Sequence, residues 1–137
     1  MWKAVTATLA AVIISLSLSF GASAQQAEIE GTISSQLEAF KIDDFEQAFT
    51  YATPNLQRLF QTPQNFQRMV TSGYPMVWRY SGFEYLELEA LGGDYLQKVQ
   101  IVDDKGRQHV LLYRMQQTEQ GWRIGGVQIL QQPGATA

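Results

Sequence analysis

Cysteine is absent from all 137 residues. That excludes a disulfide framework, a thiolate nucleophile, a cysteine zinc site and a lipid-bearing cysteine after an export signal. Histidine occurs once, at His109, so no histidine pair can anchor a metal. Carboxylates are scattered without ligand spacing, and neither metal nor cofactor is expected. Basic residues are few: ten Lys and Arg stand against thirteen Asp and Glu, for a formal net charge of −3. No basic field exists to hold a phosphate backbone, so nucleic acid is not an expected partner. With 17% charged and 45% hydrophobic residues, the chain is neither a disordered acidic tail nor a multi-span membrane protein. No Pro/Gly linker or repeat divides it, and its length suits one domain.

What is present begins with an export pattern. Met1, Trp2 and Lys3 form a short positive start, Ala4 to Phe20 is apolar apart from Thr and Ser, and the run ends in Ala22-Ser23-Ala24. Small residues at −3 and −1 suit a signal peptidase, and the stretch is short for a transmembrane helix of about 20 residues. The expectation is a signal peptide over 1–24, cleavage between Ala24 and Gln25, and a single domain over 25–137 with its ordered core at 27–130. The mature protein is then periplasmic in a Gram-negative host, or secreted, and meets the membrane only through its signal. An uncleaved anchor is the alternative, weakened by Ser15, Ser17 and Ser19.

The rest divides by hydrophobic period. Ile29, Ile33, Leu37 and Phe40 have helical spacing and predict a helix over 27–41. Asp43-Asp44 offers an N-cap for a second helix carrying Phe45, Ala48, Phe49 and Ala52, which Thr53-Pro54 ends. Pro54 opens a further turn through Leu56, Leu59 and Phe60, and Thr62-Pro63 starts a segment with Phe66, Met69 and Val70. After Tyr74-Pro75 the period falls to two, in runs at 79–90, 95–102, 108–116 and 122–130. Short glycine-containing separators make neighbouring runs hairpin partners in an antiparallel meander. The predicted fold class is α+β, with N-terminal helices packed on a curved four-stranded antiparallel sheet. The apolar strand faces are Tyr95, Val99 and Ile101; Leu111, Tyr113 and Met115; and Trp122 and Ile124. Gly125-Gly126 in the last run predicts a bulge or sharp bend.

This order of elements resembles the cone of the nuclear transport factor 2-like superfamily, and Gly121-Trp122-Arg123-Ile124-Gly125-Gly126-Val127 looks like its last strand. Together with Gly73-Tyr74-Pro75 and the strand from His109 to Met115, that segment resembles a bacterial family, domain of unknown function 4864. The narrow resemblance implies fold but no activity. The broad one implies many, from isomerases and dehydratases to pure binding and dimerisation modules, so function must come from the site.

A cone can enclose a hollow between helices and sheet. Tyr51, Tyr74, Trp78 and Tyr113 are candidate ligand-binding residues, each joining a flat apolar body to a polar tip, and each serving equally as core. His109 is the candidate acid or base, and also reads as an ordinary half-exposed histidine at a hairpin end. Superfamily enzymes work with a buried carboxylate. Here Glu84 is expected on one face of the first strand and Glu87 and Glu89 on the other, an arrangement that also suits an acidic outer surface. Arg58, Arg68 and Arg79 could clasp an anion or pair with surface acids. Three functions remain open. The first is an exported module binding a small apolar ligand or a protein. The second is a proton-transfer enzyme, an isomerase or dehydratase, using His109 or a carboxylate with Tyr51 or Tyr113. The third is a homodimer formed through the outer sheet face.

Overall fold

The computed structural model describes residues 13–131, with side chains from Gly21 to Leu130. The first helix, α1 (Ile13–Lys41), is longer than the periodicity predicts because it continues backwards through the expected cleavage point. Residues 1–12 of the export pattern lie outside the described residues. Ile29, Ile33, Leu37 and Phe40 form its inward stripe, all essentially inaccessible to solvent. Burying such a side chain contributes about 2 kcal/mol. The helix ends in a Schellman turn. Asp43, at φ 58°, takes the left-handed position often given to glycine, and the amides of Asp43 and Asp44 donate to the carbonyls of Phe40 and Ala39.

Three short helices follow, the first and third started by the caps expected from sequence and the second by Thr53, expected only to end the helix before it. In α2 (Phe45–Thr50) the Asp44 carboxylate accepts from the Gln47 amide. Thr53 and Thr62 do the same for Leu56 and Asn65 at the heads of α3 (Pro54–Phe60) and α4 (Pro63–Gly73), each with proline in the first turn. A single further turn, α5 (Pro75–Trp78), precedes the sheet where an immediate change to strand was expected.

The sheet is a meander in the order β1-β2-β3-β4: β1 (Tyr80–Leu91), β2 (Asp94–Asp103), β3 (Gln108–Thr118) and β4 (Gly121–Gln131). All three pairings are antiparallel, so the α+β architecture is the one anticipated. The helices cover its concave face. Val99, Ile101, Leu111, Tyr113, Met115, Trp122 and Ile124 are buried there as the alternation predicts, while Tyr95 is only half-buried near the edge of the hairpins.

Bulges supply the curvature. Between Tyr85 and Leu88, β1 advances three residues while β2 advances two, from Val99 to Gln97. Between Met115 and Arg114, β4 spends Gly125 as the extra residue, its pairs being Ile124 and Gly126. At Gly125 a Cβ would come within 2.3 Å of Gln116 Oε1, so a larger residue would require the Gln116 side chain to move. Side-chain tethers then pin the helices to the sheet. The Thr32 hydroxyl donates to the Trp122 carbonyl at 2.9 Å, and the Tyr85 hydroxyl to the Glu30 carbonyl at 2.7 Å. A short parallel bridge joins Ala52 to Ile124.

Candidate functional site

A half-enclosed hollow of about 340 Å³ lies between the helical layer and the β3–β4 side of the sheet. Its helical wall includes Phe40 of α1, Leu56 and Phe60 of α3, and Phe66 and Met69 of α4. Its sheet wall is Tyr113, Ile124 and Val127, with Gly126 contributing backbone. The wall exists because α3 and α4 are short and start at prolines, so the chain turns twice over the sheet instead of laying one long helix on it. Phe66 sits at the centre of the aromatic packing, 5.3 Å from Phe49, 5.9 Å from Phe60 and 6.0 Å from Phe40 between ring centroids. These contacts hold the helical wall in place while leaving space beneath it.

Polar groups at this hollow are few. Gln36 directs its amide nitrogen to the Ala48 carbonyl at 3.1 Å. Tyr74 donates its hydroxyl to the Val127 carbonyl at 2.7 Å. Tyr113 differs: it is 1% exposed, and its buried hydroxyl has no hydrogen-bond partner among the described residues. Burial is the main cause that drives its phenol well above the usual tyrosine range, with Tyr85 and Tyr74 adding to the effect, so it remains protonated at neutral pH. Among the described residues, no Asp, Glu, His, Lys or Arg lines the hollow.

Of the five residues singled out from sequence, the structure brings Tyr74 and Tyr113 together at this hollow and leaves three elsewhere. Tyr51 faces a shallower, more polar cleft between α1 and the start of β4, in company with Glu28, Trp122 and Arg123. Its hydroxyl accepts from Gln47, and the Arg123 guanidinium lies 5.8 Å from its ring. Trp78 is part of a surface clasp: its indole N–H and the Arg79 guanidinium both bind the Asp43 carboxylate, while Arg79 stacks on the Trp78 ring at 4.1 Å. Those two donors hold the Asp43 carboxyl below the usual range. The anion clasp imagined for the three arginines does not assemble, because Arg79 is engaged with Asp43 while Arg58 and Arg68 bind the neighbouring Asn55 and Asn65 side chains.

His109 stands at the far end of β3 and lines neither hollow. It is buried, at 5% exposure, rather than half-exposed as its hairpin position suggests. Its Nε2 lies 2.9 Å from Asp103 Oδ2. The same carboxylate accepts from the amides of Lys105 and Arg107 and from the Arg107 side chain, so Asp103 closes the β2–β3 turn. These bonds, led by that from His109, lower its pKa far below the usual carboxylate range. The imidazole is thereby committed to holding a turn. Histidine at a hairpin end gave no hint of burial, because its partner lies across the turn.

Glu84, Glu87 and Glu89 all share the outer face, which corrects the expectation that strand alternation separates them. Glu84 and Glu89 pair with Gln100 and Leu96, and Glu87 forms an ion pair with Lys98 on the same face of β2. The physical reason is the bulge, whose extra residue reverses the parity of β1. Among the described residues, no group of three or more His, Asp and Glu is placed to hold a metal ion.

Gln97 was not anticipated. It occupies the inner face directly opposite Tyr113, fully buried, where the alternation calls for an apolar residue. Its amide nitrogen reaches the carbonyls of Leu86, Glu87 and Lys98 at 3.1, 3.3 and 2.9 Å, two of them in the β1 bulge. A polar residue on an apolar strand face was the available signal, but it could not be read without the bulge it serves.

No curated protein matches the chain. It is similar to a crystal structure described as an NTF-2 like protein of unknown function from Burkholderia xenovorans LB400, at 14% identity and a TM-score of 0.47, over 80% of this chain and 91% of that one. A family described as Domain of unknown function (DUF4864) matches residues 22–137, and the chain belongs to that family.

Proposed function

We propose that the domain is a binding module that takes a small, largely apolar molecule into the hollow beneath α3 and α4, without turnover. The observation that carries this reading is the hollow itself: about 340 Å³, walled by aromatic and aliphatic side chains, in a protein small enough to have filled it. Volumes of roughly 300–1,000 Å³ with few polar groups are the usual form of small-molecule sites. Proton transfer has less support. Its acid or base would have to be a carboxylate or imidazole at the hollow; the lining contains none, and His109 is bound to Asp103. Residues 1–24 belong to this proposal as an export signal, placing the module in the periplasm or outside the cell. Residues 21–24 are exposed on α1, and Gln25 accepts a hydrogen bond from Tyr95 on the sheet.

The test is a thermal-shift titration with 2-isopropylnaphthalene, a neutral hydrocarbon of suitable size. At a hundred times its dissociation constant, a ligand of the folded state stabilises by about 2.7 kcal/mol, or about 12 °C for a domain of this length. Met69→Trp, which enlarges a half-buried lining side chain, should cut the affinity at least tenfold. A midpoint that stays unchanged in the unsubstituted protein, or one that rises equally in Met69→Trp, would refute binding at this place.

A further inference from the structure

Tyr113 places an unpartnered hydroxyl in an apolar setting, and phenylalanine would fill the same position without that cost. A buried hydroxyl with no partner destabilises the fold. Of the four buried side-chain atoms without a partner among the described residues, Gln97 Oε1, His109 Nδ1, the Tyr113 hydroxyl and Trp122 Nε1, only that of Tyr113 belongs to a residue lining the hollow. Three half-buried tyrosines packed against the core, Tyr74, Tyr85 and Tyr95, show the ordinary arrangement. The tips of Tyr74 and Tyr85 donate to the carbonyls of Val127 and Glu30, and that of Tyr95 to Gln25. Tyr113 alone of these has no acceptor, and it alone of them combines complete burial with a place in the wall of the hollow.

Resting on the cavity reading above, we propose that Tyr113 is the polar anchor of the site, and that the ligand is an uncharged molecule with an apolar body and one hydrogen-bond-accepting oxygen. The acceptor follows from the donor, since a protonated phenol in this environment has an O–H to give. The absence of charge follows from the walls. No cationic side chain lines the hollow to neutralise a carboxylate or phosphate, and burying an unpaired anion is far more costly than burying a carbonyl. The size follows from the volume, which equals about eleven water volumes and has room for roughly ten to fifteen non-hydrogen atoms. Long acyl chains and nucleotides are excluded on size or charge.

Three probes of equal size separate the possibilities: 2-acetonaphthone, a neutral ketone; 2-isopropylnaphthalene, with no acceptor; and 2-naphthoate, an anion. Each is titrated calorimetrically into the full chain and into Tyr113→Phe. The ketone should weaken about tenfold in Tyr113→Phe while the hydrocarbon changes less than twofold. 2-Naphthoate should bind at least tenfold more weakly than the ketone. Without ligand, Tyr113→Phe should melt at the same temperature or higher, because it removes only an unsatisfied group. Equal effects of Tyr113→Phe on ketone and hydrocarbon overturn the anchor and leave the binding module standing, as an internal water serving the hydroxyl would predict. Tighter binding of 2-naphthoate overturns the uncharged class. Failure of all three probes to bind removes both the anchor and the module.

Discussion

Gln97→Leu removes the one polar side chain that crosses the inner face to the β1 bulge, and its cost can be worked from the contacts. The amide nitrogen has two hydrogens and three carbonyl neighbours, those of Leu86, Glu87 and Lys98, so about two hydrogen bonds are lost. A buried acceptor left without its partner costs about 1–3 kcal/mol. Against this, the Gln97 Oε1 is itself buried without a partner, and leucine relieves that penalty. The balance is a loss of about 2 kcal/mol. For a folded unit of about 110 residues, with an unfolding entropy near 2.1 cal/mol/K per residue, the melting temperature falls by about 9 °C. Calorimetric unfolding of the purified chain reads this directly. Gln97→Glu is the companion variant. It keeps the shape, but its ionised form presents only acceptors to a group of carbonyls, so it should be worse than leucine at pH 7 and should partly recover toward pH 4 as the buried acid takes up a proton. If Gln97→Leu melts within 2 °C of the unsubstituted protein, the bulge does not depend on this side chain.

Two further outcomes test other parts of the fold. Asp103 has a folded pKa below its unfolded value, so the folded state binds fewer protons in acid and the carboxylate contributes stability that is present above about pH 4 and lost as pH falls further. Asp103→Asn keeps an acceptor for the Lys105 and Arg107 amides but removes the charge facing His109 and Arg107. It should therefore be less stable by a steady margin near neutrality, with the margin narrowing below about pH 4. A margin that persists unchanged to about pH 2 in acid unfolding curves would disprove that assignment. A chain beginning at Gln25 should unfold within about 2 °C of the full chain, since residues 21–24 are exposed and the inward stripe starts at Ile29. A drop of more than about 5 °C would place residues before Gln25 in the stability of the domain.

Much of the architecture was legible because two simple periods carry it. Ile29, Ile33, Leu37 and Phe40 are a helical stripe on paper and in space. Thr62-Pro63 announces a helix start through local chemistry alone, a side-chain oxygen reaching an amide three residues on, and Pro54 marks the start that Thr53 caps in the same way. The short separators dictated hairpins, and hairpins dictate strand order. α5 escaped notice because four residues are too few for a helical period to show. The parity of Glu87 escaped for a different reason: one additional residue in β1 reverses every face assignment beyond it, and nothing in Tyr85 to Leu88 marks the place, whereas Gly125-Gly126 does mark the bulge in β4.

The site was less legible than the fold because it depends on which tips meet across the interior. Tyr85 and Tyr113 are both inward tyrosines on neighbouring parts of one sheet, and local sequence does not distinguish their roles. In space, the Tyr85 hydroxyl meets the Ser34 hydroxyl and the Glu30 carbonyl, more than fifty residues away in the chain. Burial pushes its pKa to about 12, and its proton is used structurally. Tyr113 lies two strands further across, under the gap left between α1 and the short helices, and no carbonyl descends to it. The two prolines start α3 and α4 and break the helical layer there, and the proposed guest would occupy the space left beneath. The proposed binding turns on that spacing more than on any single reactive group.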